Sequence, residues 1–336
     1  MKIEELQKIV SALMAKGKGI LAADESEGTC NKRFEKYGIE KTAEVRRGWR
    51  ELLFSAPEIE KGLSGVILFD ETIRQKTSDG TPFADFLASR GIISGIKVDQ
   101  KTEPLVGSPE EEVTKGLSGL SERLVEYAKM GAKFTKWRAV IRIGDGLPTK
   151  ECLRENAKRM AEYALESQKA GLVPIIEPEV LLDGTHSMKR CEEVIEEALK
   201  ETFSAIKDRG VLLSGLILKS SMVLPGKDSG EITTAKEVAE ATVRVLEATV
   251  PDEVAGIVFL SGGQMSIQAM DNLNEMEKIK GKPWPLTFSY SRALQDSVLK
   301  YWKGKEENVE EAQAIFRKRV LEADAASEGE WTEEME

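Results

Sequence analysis

Residues 215–223 read Gly-Leu-Ile-Leu-Lys-Ser-Ser-Met-Val, an apolar run broken near its centre by one cation, Lys219. A short run this apolar is the pattern of a strand covered on both faces. Two more lysines are set in the same way, Lys97 in Gly-Ile-Lys-Val-Asp and Lys136 in Phe-Thr-Lys-Trp-Arg. Burying an ammonium costs free energy unless it is paired or neutralised, so lysines placed here point to chemistry or to anion binding.

Seven similar runs flank this one, at 19–25, 65–72, 93–99, 134–141, 172–180, 256–263 and 285–292. Helical patterns separate them. Leu153, Ala157, Met160, Ala161 and Ala164 share one face of 149–170, and Ile195, Leu199, Thr202 and Ile206 share one face of 192–207. One apolar stripe per helix is what packing on a sheet requires. Gly91, Gly131, Gly171 and Gly210 follow helical patterns and precede strands, the place where a left-handed residue ends a helix. Eight strands with crossover helices predict an α/β chain folded as a single TIM (β/α)8 barrel, with extra terminal helices at 3–15 and 306–323. The barrel is expected to occupy 1–324, and the Glu-rich stretch 325–336 to be a mobile acidic tail.

The 336 residues carry 48 basic and 58 acidic side chains, a net charge of -10, which argues against nucleic acid or an anionic membrane as partner. No apolar run approaches the roughly 20 residues of a membrane span, and the N-terminus is a polar amphipathic helix, so a cytoplasmic location is expected. Cys30, Cys152 and Cys191 are far apart and odd in number, which suggests reduced thiols. His186 is the single histidine. It could serve a Ser-His-Asp triad or be an ordinary loop residue, but multi-histidine metal sites cannot be built from one imidazole. No metal and no cofactor are expected.

Asp24, Lys97, Lys136, Glu177, Lys219, Ser261 and Ser289 all fall late in their runs, at the barrel end where active sites are assembled. A neutral lysine can attack a ketone and become a protonated imine, which accepts the electron pair of a breaking carbon–carbon bond. Neighbouring ammonium groups and burial would favour the neutral amine. Glu177 and Glu179 could be a helix-start pair; opposite lysines, Glu177 suits a proton shuttle and Glu179 a group that orients a lysine. Asp24 could be a helix N-cap, or a carboxylate that removes a hydroxyl proton. Ser261-Gly262-Gly263 and Ser289-Tyr290-Ser291-Arg292 could be turns, yet they follow the last two strands, where barrels bind phosphate.

The strings GKGILAADES (17–26), GLSERLVEYAKMGAKFTKWR (119–138), VPIIEPE (173–179), LKSSMVLPG (218–226), GIVFLSGGQ (256–264) and KPWPLTFSYSRALQ (282–295) resemble the class I fructose-bisphosphate aldolases of the eukaryotic type. The similarity runs from about residue 3 to 323. It implies that Lys219 forms the imine, that Glu177 is the acid/base catalyst, that Asp24 is the base acting on the C4 hydroxyl and that Lys136 assists carbinolamine chemistry. It further implies that Ser261, Gly262, Gly263, Ser289 and Arg292 hold one phosphate, with Ser291 in the same loop. Ser26, Arg33 and Lys97 would approach the other end, and Arg138 and Glu179 would support the lysines. The implied reaction is reversible, metal-independent cleavage of fructose 1,6-bisphosphate to two triose phosphates in a homotetramer. A Schiff-base aldolase preferring fructose 1-phosphate or sedoheptulose 1,7-bisphosphate, and a non-catalytic phosphosugar-binding scaffold, are the competing readings.

Three departures bear on this. The family usually has Pro-Asn where this chain has Ser220-Ser221, and Gly where it has Ser291; the terminal tyrosine of many relatives is not found at Glu336. Substrate preference is the property these changes touch.

Overall fold

The computed structural model describes residues 2–336. Within them, eight parallel strands form one sheet: β1 (Gly19–Ala23), β2 (Leu63–Leu68), β3 (Ile93–Lys97), β4 (Phe134–Ile141), β5 (Val173–Val180), β6 (Ile217–Ser220), β7 (Gly256–Phe259) and β8 (Leu286–Phe288). They are hydrogen-bonded in that order. The Ala22 N–H donates to Tyr290 O at 2.9 Å, bringing the chain just past β8 back to β1 and closing the ring. The architecture is the expected (β/α)8 barrel.

Strand periodicity explains both the core and the site. Ile20, Ala22, Phe134, Val173, Ile175 and Ile217 pack inside the barrel, while their neighbours Leu21, Ala23, Ile176 and Leu218 pack against the outer helices. Side chains two residues apart on a strand share a face. Following each inner row toward the C-terminal end therefore leads from Ala22 to Asp24, from Phe134 to Lys136, from Ile175 to Glu177 and from Ile217 to Lys219. Gly95 leaves room for the ring of Phe134, which a Cβ there would strike. The opposite mouth is plugged by the helix Ile3–Leu13, whose Leu6, Val10 and Leu13 join the same inner cluster.

The crossover helices bury the expected stripes. Lys150–Lys169 covers Leu153, Ala157, Met160, Ala161 and Ala164, and Met188–Asp208 covers Ile195, Leu199, Thr202 and Ile206. Their first turns are capped by Thr149 and Ser187, whose hydroxyls accept the N–H groups of Cys152 and Arg190 at 3.2 Å. Gly131 (φ +101°) and Gly171 (φ +79°) end helices in the left-handed conformation, as expected. No helix among the described residues is long and apolar enough to cross a membrane.

Three features differ from the sequence expectations. The strands stop short of most apolar runs: β7 ends at Phe259 and β8 at Phe288, so Ser261 and Ser289 lie in the loops beyond them. Between β3 and β4 an antiparallel hairpin, Thr102–Leu105 with Ser108–Thr114, was not expected, because its glutamates mask the alternation. Finally, the acidic stretch from 325 is docked here instead of trailing free. The helix Val309–Ser327 passes through Ala325, Trp331 is buried, its backbone N–H donates to Asn274 Oδ1 at 3.0 Å, and Glu336 pairs with Arg319. One indole and one guanidinium outweigh the low apolar content of that stretch.

Candidate active site

Four buried ionisable groups meet at the C-terminal mouth of the barrel. Lys136 Nζ lies 2.8 Å from Asp24 Oδ2 and 2.7 Å from Glu177 Oε2. The other oxygen of Glu177, Oε1, lies 3.1 Å from Lys219 Nζ. Lys219 and Glu177 are each 3% exposed. The contact between Lys136 and Glu177 Oε2 is one of charge, not an aligned hydrogen bond. Strand register builds this cluster: Lys136 is paired with Ile175 and Arg138 with Glu177 across β4 and β5.

Electrostatics decide the protonation of the acids. Burial alone would raise the Asp24 carboxyl, but the ammonium groups of Lys136 and Lys219, with Lys97 behind them, hold it down at about 2. Burial likewise opposes the charge on Glu177, and Lys136, Lys219 and Arg138 overcome it, leaving Glu177 below the usual carboxylate range. Lys136 is buried too, yet the charges of Asp24, Glu177 and Asp99 hold its ammonium well above the ordinary lysine value. Lys136 is thus the fixed cation of the cluster.

A ring of polar pairs surrounds these four. Lys97 Nζ pairs with the Asp99 carboxylate and donates to its carbonyl at 3.2 Å, and the other carboxylate oxygen accepts the Arg138 N–H at 3.3 Å. Glu179 was expected to orient a lysine; it holds the Arg138 guanidinium instead. Arg138 pairs in register with Glu177, so its longer side chain reaches the next carboxylate of the same row. Arg33 is held by Glu25 and by Asp296 Oδ1 at 2.8 Å. Glu25 also accepts Arg50 at 2.8 Å and the Ser291 hydroxyl at 2.8 Å. Asp24 is not an N-cap; that position belongs to Ser26, whose Oγ accepts the Thr29 N–H at 3.4 Å.

The phosphate candidates stand together. Gly262 and Gly263 have positive φ (+44° and +107°) in the loop after β7, and the Arg292 guanidinium lies beside Gly263. Ser289 Oγ is buried with no protein partner, a hydroxyl free to meet an anion. All of the expected site residues except Gly263 line one cavity of about 880 Å³. His186 does not line it. Sequence reasoning missed Glu25, Arg50 and Asp99, although Asp24-Glu25 and Val98-Asp99 follow strands directly; nothing local reveals which distant arginine each carboxylate will meet.

The chain matches the family described as fructose-bisphosphate aldolase class-I over residues 5–336. It is 51% identical over 332 residues to a probable fructose-bisphosphate aldolase class 1 of Xanthomonas campestris, covering 98% of this chain and 99% of the relative. It is 50% identical over 330 residues to the cytosolic fructose-bisphosphate aldolase 5 of Arabidopsis thaliana, covering 98% and 92%. A solved structure of fructose-bisphosphate aldolase from Plasmodium falciparum, in complex with TRAP and a small molecule inhibitor, superposes with a TM-score of 0.97 at 44% identity, covering 98% of this chain and 96% of that one. A match of this length and identity, on a barrel with this mouth, means that the chain belongs to the class-I fructose-bisphosphate aldolase family.

Proposed function

We propose that this protein reversibly cleaves fructose 1,6-bisphosphate to dihydroxyacetone phosphate and glyceraldehyde 3-phosphate through an imine at Lys219. The observation that carries the reading is a buried lysine amine 3.1 Å from a carboxylate, Glu177, on the wall of a cavity with room for a hexose bisphosphate.

Lys219 Nζ, as the neutral amine, adds to C2 of the ketose, and the nitrogen gives up a proton as the carbinolamine forms. Glu177, which first takes a proton from Lys219 to leave the amine neutral, gives that proton to the C2 oxygen as the bond forms. It then carries the proton given up by the nitrogen to the resulting C2 hydroxyl, which leaves as water and yields the iminium. Asp24, ionised across the physiological range, takes the C4 hydroxyl proton while the C3–C4 electrons move to the iminium. The aldehyde departs and an enamine remains. Protonation at C3 and hydrolysis release the second triose phosphate and restore the amine. Lys136, held as an ammonium, donates to the substrate oxygens between the two acids. Ser261, Gly262, Gly263, Ser289, Ser291 and Arg292 take one phosphate; Ser26, Arg33 and Lys97 take the other.

The test is reduction with borohydride in the presence of dihydroxyacetone phosphate, followed by peptide mass analysis. An adduct on Lys219 is expected; none, while product forms, overturns the assignment. We further read the protein as a cytoplasmic homotetramer. Plant relatives named cytosolic and cytoplasmic support the compartment, and the family resemblance supports the subunit number, which sedimentation equilibrium would check.

A further inference from the structure

Above Leu218 the barrel wall parts between β5 and β6. The two strands pair at Ile175 with Ile217 and at Ile176 with Leu218. Higher up each turns to its other neighbour. β5 stays paired with β4 through Val180, and beyond it the Leu181 N–H donates to Ile141 O at 2.9 Å. β6 stays paired with β7 through Ser220, and the Leu260 N–H donates to Ser220 O at 3.1 Å. The seam therefore opens between the strand that carries Glu177 and the strand that carries Lys219.

One hydroxyl spans it. Ser221 Oγ accepts the Val180 N–H at 3.0 Å and donates to Val180 O at 3.2 Å. Ser221 is buried. The backbone bonds that rejoin the two connections lie further out in the loops, from Lys227 N–H to Leu182 O at 2.9 Å. A short side chain bonded twice to one residue resists both sliding and splaying of the β5 end.

We propose that Ser221 is a positioning residue, whose hydroxyl clasps β5 to β6 and thereby sets the reach between Glu177 and Lys219. The proposal rests on the reading of Lys219 as the nucleophile and adds what holds its proton carrier in place. Proton transfer needs heavy atoms within about 2.6–3.2 Å, and the 3.1 Å separation of Lys219 and Glu177 sits at the outer edge of that range. Widening the seam by a few tenths of an ångström takes the pair out of reach. The candidate phosphate-binding residues, in the loops after β7 and β8, make no contact with this clasp.

Ser221→Ala is expected to lower kcat about ten- to hundredfold, the scale of a misplacement near 1 Å, while KM stays within about twofold. Borohydride trapping at Lys219 should slow by the same factor. Ser221→Thr keeps the hydroxyl and Ser221→Val keeps only its shape, so this pair separates the bond from packing if the alanine variant folds poorly: threonine is expected to restore kcat and valine to match alanine. An unchanged kcat in Ser221→Ala overturns the proposal. So does threonine behaving like valine, with kcat and KM disturbed together, which is the mark of a merely structural role. Absence of any adduct at Lys219 in the wild-type protein is a different failure; it overturns the nucleophile assignment and the positioning role with it.

Discussion

Replacing Lys136 with methionine removes the cation that bridges Asp24 at 2.8 Å and Glu177 at 2.7 Å. Methionine fills the stem's volume and leaves two buried carboxylates facing one another with reduced compensation. The Asp24 carboxyl is held at about 2 against an ordinary 3.8, with burial pushing the other way and Lys136 the largest force holding it down. Restoring the ordinary value forfeits about 2 to 3 kcal/mol at pH 7. Breaking a buried ion pair costs about 3–5 kcal/mol, so a loss of about 3 kcal/mol is expected once Glu177 is included. The sign with pH follows from the depressed carboxyl: its contribution is fully present above 3.8 and is lost as pH falls through about 2. The stability gap between wild type and Lys136→Met should therefore be widest at pH 7 and narrow at pH 3, read from urea unfolding at both. Turnover should fall by at least about a hundredfold, measured as triose phosphate release. Equal unfolding midpoints at pH 7, or a gap that does not narrow at pH 3, would refute the electrostatic account of this cluster.

Other outcomes follow from the same geometry. Lys219→Arg should abolish turnover, because a guanidinium keeps the charge but supplies no neutral amine; substantial retained cleavage would move the nucleophile elsewhere. Activity should survive dialysis against a chelator, since one histidine cannot build a multi-histidine metal site and the proposed mechanism uses the protein's own amine as electron sink; loss that zinc restores would favour a metal mechanism. Arg292→Ala should raise KM by about tenfold or more with a smaller change in kcat, the scale of one charge-assisted phosphate contact, and an unchanged KM would take Arg292 out of the phosphate site.

How much of this was open to sequence reading depended on whether a residue's partner lies near it in the chain. The barrel was legible because buried parallel strands and striped helices are local patterns, and because Lys97, Lys136 and Lys219 break apolar runs where a charge has no ordinary place. Glu177 and Asp24 were legible for the same reason, being the next members of the inward rows that run through Val173 and Ile175 and through Ile20 and Ala22. The docked end of the chain was not, since its hold comes from Trp331 against a helix some 57 residues earlier in sequence. Nor was the hairpin 102–114, where Glu111 is buried because its carboxylate accepts the Thr149 N–H and hydroxyl.

By itself the sequence determined which residues face the barrel mouth, because strand periodicity is a property of the backbone and needs no distant partner. Only the tertiary structure decided how those residues pair: that Lys136 and not Lys219 bridges both acids, that Glu179 takes Arg138, that Glu25 gathers Arg33, Arg50 and Ser291, and that Ser221 closes the seam. These are contacts between strands and loops up to 266 residues apart. They are set by register and barrel closure, which bring charges within a few ångströms regardless of where they stand in the chain.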